Sequence, residues 1–248
     1  MISGKEALDR LRVGNGRFVA GEGGRGSGTS GARRDALVAG QEPFAIVLGC
    51  SDARVPPEII FDQGLGDLFV VRVAGNVVAQ PQIDSIEFAA EELGARLVVV
   101  LGHSWCGAVL ATLEELGRGE GPSGAYGAIL DRIWPTAEAL SATELGRDPD
   151  ALVRAVVRAN IRASTHHLRH RSPALARLIE EDGLLVVGAE YALETGVVDW
   201  IDGIPDAGQE RAEDRLAEAK MGRVLGGDRA TAGAEKAARG DGLMEGGR

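Results

Sequence analysis

The chain has 248 residues, 44% of them apolar and 26% charged, which suits a soluble globular protein with one sizeable hydrophobic core. Its formal charge of −10 speaks against nucleic acid and anionic membrane surfaces as routine partners, since both call for a basic face. No run reaches the roughly 18 uninterrupted apolar residues of a membrane span, the opening MISGKEALDR lacks a signal-type apolar run, and two cysteines make no disulfide framework, so a cytoplasmic protein is expected.

Residues 5–18 predict an amphipathic helix, with Ala7, Leu8, Leu11 and Phe18 on one side. The glycine-rich stretch 21–31 predicts a loop or extended arm. FAIVLGC at 44–50 is a short apolar run of the kind buried on both faces of a parallel sheet, and LFVVRVAGN at 68–76 predicts a second strand. Ile83, Ile86, Phe88, Ala89 and Leu93 give helical spacing over 82–93, with Gly94 placed to end it. RLVVVLGH at 96–103 is the clearest strand, and 105–116 predicts a helix starting straight from its end. Further helices are expected over 125–141 and 150–170, then strands at 184–191 and 196–201 joined by a short ETG turn. Past Pro205 apolar content falls away, so 206–248 is expected to be a flexible tail behind a single domain over 1–205. Strands alternating with helices predict an α/β fold, a mostly parallel central sheet flanked by helices.

In such sheets ligands bind at the carboxyl ends of the strands. Cys50 and His103 both end predicted strands, and His103-x-x-Cys106 spans a strand-to-helix turn. Two thiolates and an imidazole suit zinc, and a catalytic zinc takes three protein ligands and leaves a fourth position to water. On these residues alone two alternatives stay open: ordinary buried packing residues, or a Cys50–Cys106 disulfide. Asp52 and Arg54 follow the first cysteine by two and four residues. A carboxylate–guanidinium fork there would hold an acceptor beside the metal.

CSDARVPPEIIFDQGLGDLFVVRVAGN at 50–76 and GHSWCGAV at 102–109 resemble the two signatures of the β-carbonic anhydrase family. GNGRFVAG at 14–21 is similar to that family's N-terminal helical arm, and GAEYALETGVVDWI at 188–201 to its last hairpin. The resemblance implies zinc-dependent, reversible hydration of CO2 to bicarbonate and a proton. It assigns Zn2+ to Cys50, His103 and Cys106, and the catalytic dyad to Asp52 and Arg54. It also implies a closed state in which Asp52 becomes the fourth ligand. Gln41 and Phe69 match substrate-pocket residues of the plant-like subgroup, and Phe88 stands where that subgroup often has tyrosine. The backbone N–H of Gly107 is a candidate donor to bicarbonate. Family pockets borrow residues from a neighbouring subunit, which implies a homodimer or homotetramer. Val47 replaces the tryptophan of the bicarbonate-regulated subgroup, and Trp105 is expected to pack against neighbouring structure. A carbonyl sulfide or carbon disulfide hydrolase on the same zinc, and a non-catalytic closed zinc, remain alternatives. The trio His166, His167 and His170 raises a proton-shuttle reading, although histidines on a charged helix are commonly just solvated.

Overall fold

A computed structural model describes residues 2–24, 28, 30–119, 121–122 and 124–205, so the expected tail over 206–248 lies outside the described residues. The helices are α1 (Gly4–Val19), α2 (Gly31–Ala36), α3 (Pro57–Ile60), α4 (Gln80–Glu91), α5 (Gly107–Gly117), α6 (Gly127–Ser141), α7 (Pro149–Arg171) and α8 (Pro173–Glu181). The strands are β1 (Ala45–Gly49), β2 (Leu68–Arg72), β3 (Leu97–His103), β4 (Leu185–Tyr191) and β5 (Val198–Asp202). They form one sheet in the order β2-β1-β3-β4-β5, parallel except for the β4–β5 hairpin.

Alternation along the strands sorts the core into two layers. Ile46, Leu48, Val98, Val100 and Val186 face one side, where they pack with Ile83, Ile86, Ile133, Val157 and Ile161 of α4, α6 and α7. Ala45, Val47, Leu97, Val99 and Leu101 face the other, with Ala7, Leu8 and Leu11 of α1 and Ile60 of α3. Both faces of β1 and β3 are therefore covered, which is why these strands read as unbroken apolar runs. The N-terminal helix thus docks its apolar stripe on the second face, capped by the Ser3 side chain accepting from Glu6 N–H.

Several boundaries differ from expectation. The second strand ends at Arg72, and Ala74–Asn76 forms a 3-10 turn in which Gly75 takes φ 69°. A side chain at Gly75 would also meet Ile133 Cδ1 at 2.9 Å and Ala108 Cβ at 3.1 Å, so the position favours glycine. The helix expected from residue 105 starts at Gly107 instead, because Trp105 sits at φ 55°. Left-handed backbone costs a bulky residue roughly 1–2 kcal/mol. The short helices α2 and α3 and the 3-10 turns Leu37–Ala39 and Glu144–Arg147 carried too little periodicity to be anticipated, whereas α8 is amphipathic, capped by Ser172 and opened by Pro173, and was legible but passed over. Gly94 closes α4 at φ 68°, as its position predicted.

The chain leaves β1 towards β2 on one side of the sheet and leaves β3 towards β4 on the other. The carboxyl ends of β1 and β3 are therefore the topological switch point, where an open α/β sheet forms its natural crevice. Pairing of Gly49 with Leu101 sets Cys50, which follows β1, beside the end of β3 at His103.

Candidate metal centre

The sulfurs of Cys50 and Cys106 and a ring nitrogen of His103 lie within 4.8 Å of one another, and all three residues are buried. Both cysteines are free thiols, so the disulfide alternative falls. His103 Nδ1 lies 2.9 Å from the carbonyl of Ser104, which assigns the proton to Nδ1 and leaves Nε2 as the acceptor. Nε2 is buried and has no hydrogen-bond partner. An orphaned imidazole nitrogen facing two thiols is costly unless it binds something, and this donor set is the one zinc takes.

The thiols favour deprotonation unequally. Cys50 is lowered from the ordinary thiol value, first by a hydrogen bond from Cys106 and then, against the cost of burial, by His103 and the amides of Asp52 and Gly75. Cys106 is raised, first by its contact with Cys50 and then by burial. The pair thus shares one proton easily lost and one retained until a cation arrives. Gly75 N–H points at Cys50 Sγ from 3.4 Å, which is the reason the 3-10 turn after β2 matters.

Asp52 turns towards Arg54. Its Oδ1 accepts from Arg54 N–H and Nε at 2.9 Å each, and Oδ2 accepts from Nη2 at 2.7 Å. The arginine side-chain bonds are the main cause holding the Asp52 carboxyl well below the usual carboxylate range. Oδ2 is 3.9 Å from His103 Nε2, so the carboxylate borders the trio while its bonds go to the guanidinium.

Arg72, a residue that sequence reasoning passed over, staples this loop from the end of β2. Its Nε donates to Cys50 O at 2.9 Å and its Nη2 to Asp52 O at 2.6 Å.

Residues 45–198 match the family model described as carbonic anhydrase. Carbonic anhydrase 2 of Mycobacterium tuberculosis (strain CDC 1551 / Oshkosh) is 40% identical over 205 residues, covering 82% of this chain and 96% of the relative. A carbonic anhydrase of Mycolicibacterium smegmatis (strain ATCC 700084 / mc(2)155) is 40% identical over 203 residues, with the same coverage of 82% and 96%. Among solved structures, a tetrameric β-carbonic anhydrase of Sordaria macrospora superposes with TM-score 0.58 at 27% identity, covering 68% of this chain and 85% of that one. A β-carbonic anhydrase of Aspergillus fumigatus gives TM-score 0.58 at 27% identity, covering 76% and 86%. This chain belongs to the β-carbonic anhydrase family.

The residues that the family likeness assigns to the substrate pocket are spread out within one protomer. Gln41 is exposed and precedes the amino end of β1, whereas Cys50 follows its carboxyl end. The strand between them is roughly 16 Å long at ~3.3 Å per residue. Phe69 aligns with Ile46, four residues short of Cys50, and its ring pairs with that of Phe88 at 6.3 Å between centroids. Phe88 is 51% exposed. One copy of the chain therefore does not bring Gln41, Phe69 or Phe88 to the thiols. Gly107 is the first residue of α5, directly after Cys106, so its N–H belongs to the unsatisfied first turn of that helix.

Trp105 meets neighbouring structure, through a hydrogen bond and while partly exposed. It is 40% exposed, and its indole Nε1 donates to Glu194 Oε1 at 2.6 Å. The shuttle candidates also sit elsewhere. Asn160 of α7 reaches Gly75 O near the site, but Arg169 reaches Val186 O towards the amino ends of the strands. His166, His167 and His170 lie at that far end, with His166 and His170 stacked 4.2 Å apart.

Proposed function

We propose that this chain catalyses the reversible hydration of CO2 to bicarbonate and a proton at a zinc ion held by Cys50, His103 and Cys106. The observation that carries this reading is the buried trio of ligand atoms within 4.8 Å, bordered by an Asp52 carboxylate committed to Arg54. Bound there, zinc supplies Lewis acidity, which lowers the pKa of a water from ~15.7 towards neutrality.

The chain's own residues supply the rest. Ser104 O holds the His103 ring in the tautomer that presents Nε2, and Gly75 N–H fixes the Cys50 sulfur. Asp52, kept ionised by Arg54, is an acceptor that orients a water proton at the edge of the trio. In this reading the first-turn N–H of Gly107 donates to a developing bicarbonate oxygen, which its position directly after Cys106 supports.

Because Gln41, Phe69 and Phe88 lie away from the thiols of their own protomer, the reading includes a second copy of the chain. Its Gln41 donates to substrate and its phenylalanines dry the pocket, which makes the working unit a homodimer or a larger even assembly. Val47 is fully buried in the sheet core, which supports the reading that no regulatory anion binds at that position.

Zinc analysis with stopped-flow CO2 hydration on wild type and Cys106→Ser tests the proposal. Stoichiometric zinc and turnover in wild type, both lost in the variant, are expected. Stoichiometric zinc without turnover, even at mildly alkaline pH, would overturn it in favour of a closed site with Asp52 as fourth ligand. Turnover of carbonyl sulfide in preference to CO2 would replace the substrate.

A further inference from the structure

We infer that Glu194 is a positioning residue for the metal centre: it clamps the Ser104–Trp105 turn, whose two carbonyls hold His103 and Arg54. This inference rests on the zinc hydratase reading of the same site.

The turn is unusual in what it does with its backbone. Ser104 O takes the Nδ1 proton of His103 at 2.9 Å and so aims Nε2 at the thiols. Trp105 O, the next carbonyl, meets Arg54 Nη2 at 3.5 Å, a long contact to the same nitrogen that grips Asp52 Oδ2 at 2.7 Å. Those two carbonyls can point at two different targets because Trp105 adopts φ 55°. A tryptophan does not hold left-handed backbone unaided, so something outside the turn must retain it.

Glu194 supplies that hold. Its Oε1 accepts from Trp105 Nε1 at 2.6 Å and its Oε2 from Ser104 Oγ at 3.0 Å, so one carboxylate binds both side chains of the turn. Ser104 is tied a second time, since Leu193 N–H donates to its Oγ at 3.0 Å. The placement follows from the sheet. His103 pairs with Tyr191 at the ends of β3 and β4, so the turns that continue both strands lie side by side. Glu194 comes three residues after Tyr191, in the β4–β5 connection, where Gly196 N–H donates to Ala192 O at 2.8 Å. The carboxyl of Glu194 is lowered from its ordinary value, first by its own backbone N–H and then by the bonds from Ser104 and Trp105. A carboxylate that only capped its own hairpin would have no reason to reach an indole on another strand's turn.

The consequence is a relay of position, with no proton moved: Glu194 sets the turn, the turn sets the imidazole and the guanidinium, and the guanidinium keeps Asp52 off the metal. Cobalt(II)-substituted protein provides a readout separate from turnover, because its visible absorption reports ligand geometry. We would compare wild type, Glu194→Ala, Glu194→Gln, Trp105→Phe and the Glu194→Ala/Trp105→Phe double variant.

Expected for Glu194→Ala are unchanged metal stoichiometry, an altered cobalt spectrum, and kcat reduced about tenfold with KM little changed. Trp105→Phe, which keeps the Ser104 bond, should give a smaller change of the same kind, and the double variant should be no worse than Glu194→Ala. Glu194→Gln, which keeps an oxygen for the indole N–H, should recover most of the loss. The inference is overturned if Glu194→Ala leaves the spectrum and kcat as in wild type, if it lowers only the melting temperature, or if the two single effects multiply. Wild type that binds cobalt yet hydrates no CO2 would sink the functional reading, while the spectra of the variants would still decide the role of Glu194. Failure of wild type to bind cobalt or zinc would sink both.

Discussion

Cys106 and Arg54 act on different atoms, and their loss should be separable. Cys106→Ser removes a thiolate ligand, so zinc content and CO2 hydration should fall together below detection. Arg54→Ala leaves the trio intact but frees Asp52 from its main hydrogen-bond donor. Zinc should then stay stoichiometric while kcat falls about tenfold or more, measured by metal analysis beside stopped-flow hydration. The sign of the Asp52 shift matters to pH behaviour. Its folded value is depressed by Arg54, so the pair is fully formed above the ordinary carboxylate range and is lost only as pH falls through the depressed value. Between about pH 6 and 9 Asp52 remains charged. Any activity loss in that range therefore reports ionisation of the water or where Asp52 points, and not protonation of Asp52.

Helix α7 offers two tests at the scale of an element. Ile161 fills the space over Gly102 of β3 so closely that an added Cβ would meet its Cγ1 and Cδ1 at 2.6 Å. Gly102→Ala should cost about 1–3 kcal/mol by overpacking, read by urea denaturation, and Ile161→Val should restore part of it in the double variant. The second test is pH-dependent. Burial, followed by the charges of Arg132 and Arg171, lowers His167 from its ordinary value. The unfolded chain then binds the proton more readily than the folded one, so stability is lost as pH drops through and below about 6.5. The melting temperature of wild type should fall between pH 7.5 and 5.5 more steeply than that of His167→Gln. Equal slopes would remove His167 from the account.

At the scale of the whole molecule, the separation of Gln41 from the thiols leads to a complementation experiment. Gln41→Ala should lower kcat/KM about tenfold with zinc retained, the equivalent of one hydrogen bond of about 1.4 kcal/mol. Mixed with inactive Cys106→Ser protomers and allowed to exchange subunits, it should regain activity, because the inactive partner still carries Gln41. Sedimentation should give a mass of at least two chains. No recovery from an exchanging dimer would place Gln41 outside the site. No helix among the described residues is long and apolar enough to cross a membrane.

How much of this was legible beforehand depended on the range of each signal. The buried strands announced themselves by unbroken apolar runs, because both faces of β1 and β3 are covered. Cys50, His103 and Cys106 could be grouped because a parallel sheet gathers its strand ends, and that is a rule about chain order. Asp52 and Arg54 were visible because their partnership is two residues long. Arg72, Gly75 and Glu194 were not, since each acts across 20 or more residues through contacts with no local pattern. The left-handed Trp105 likewise has no signature in residue type, as tryptophan disfavours that conformation. The amino-acid sequence by itself therefore determined the family, the ligand chemistry and the sheet, all of which follow from residue type and order. Only the tertiary structure decided that Arg72 staples the Cys50–Asp52 loop, that Gln41 and Phe88 stand away from their own protomer's thiols, and that the Ser104–Trp105 turn is tied to Glu194. Those are matters of direction and distance, which arise only once the β3 and β4 ends lie side by side.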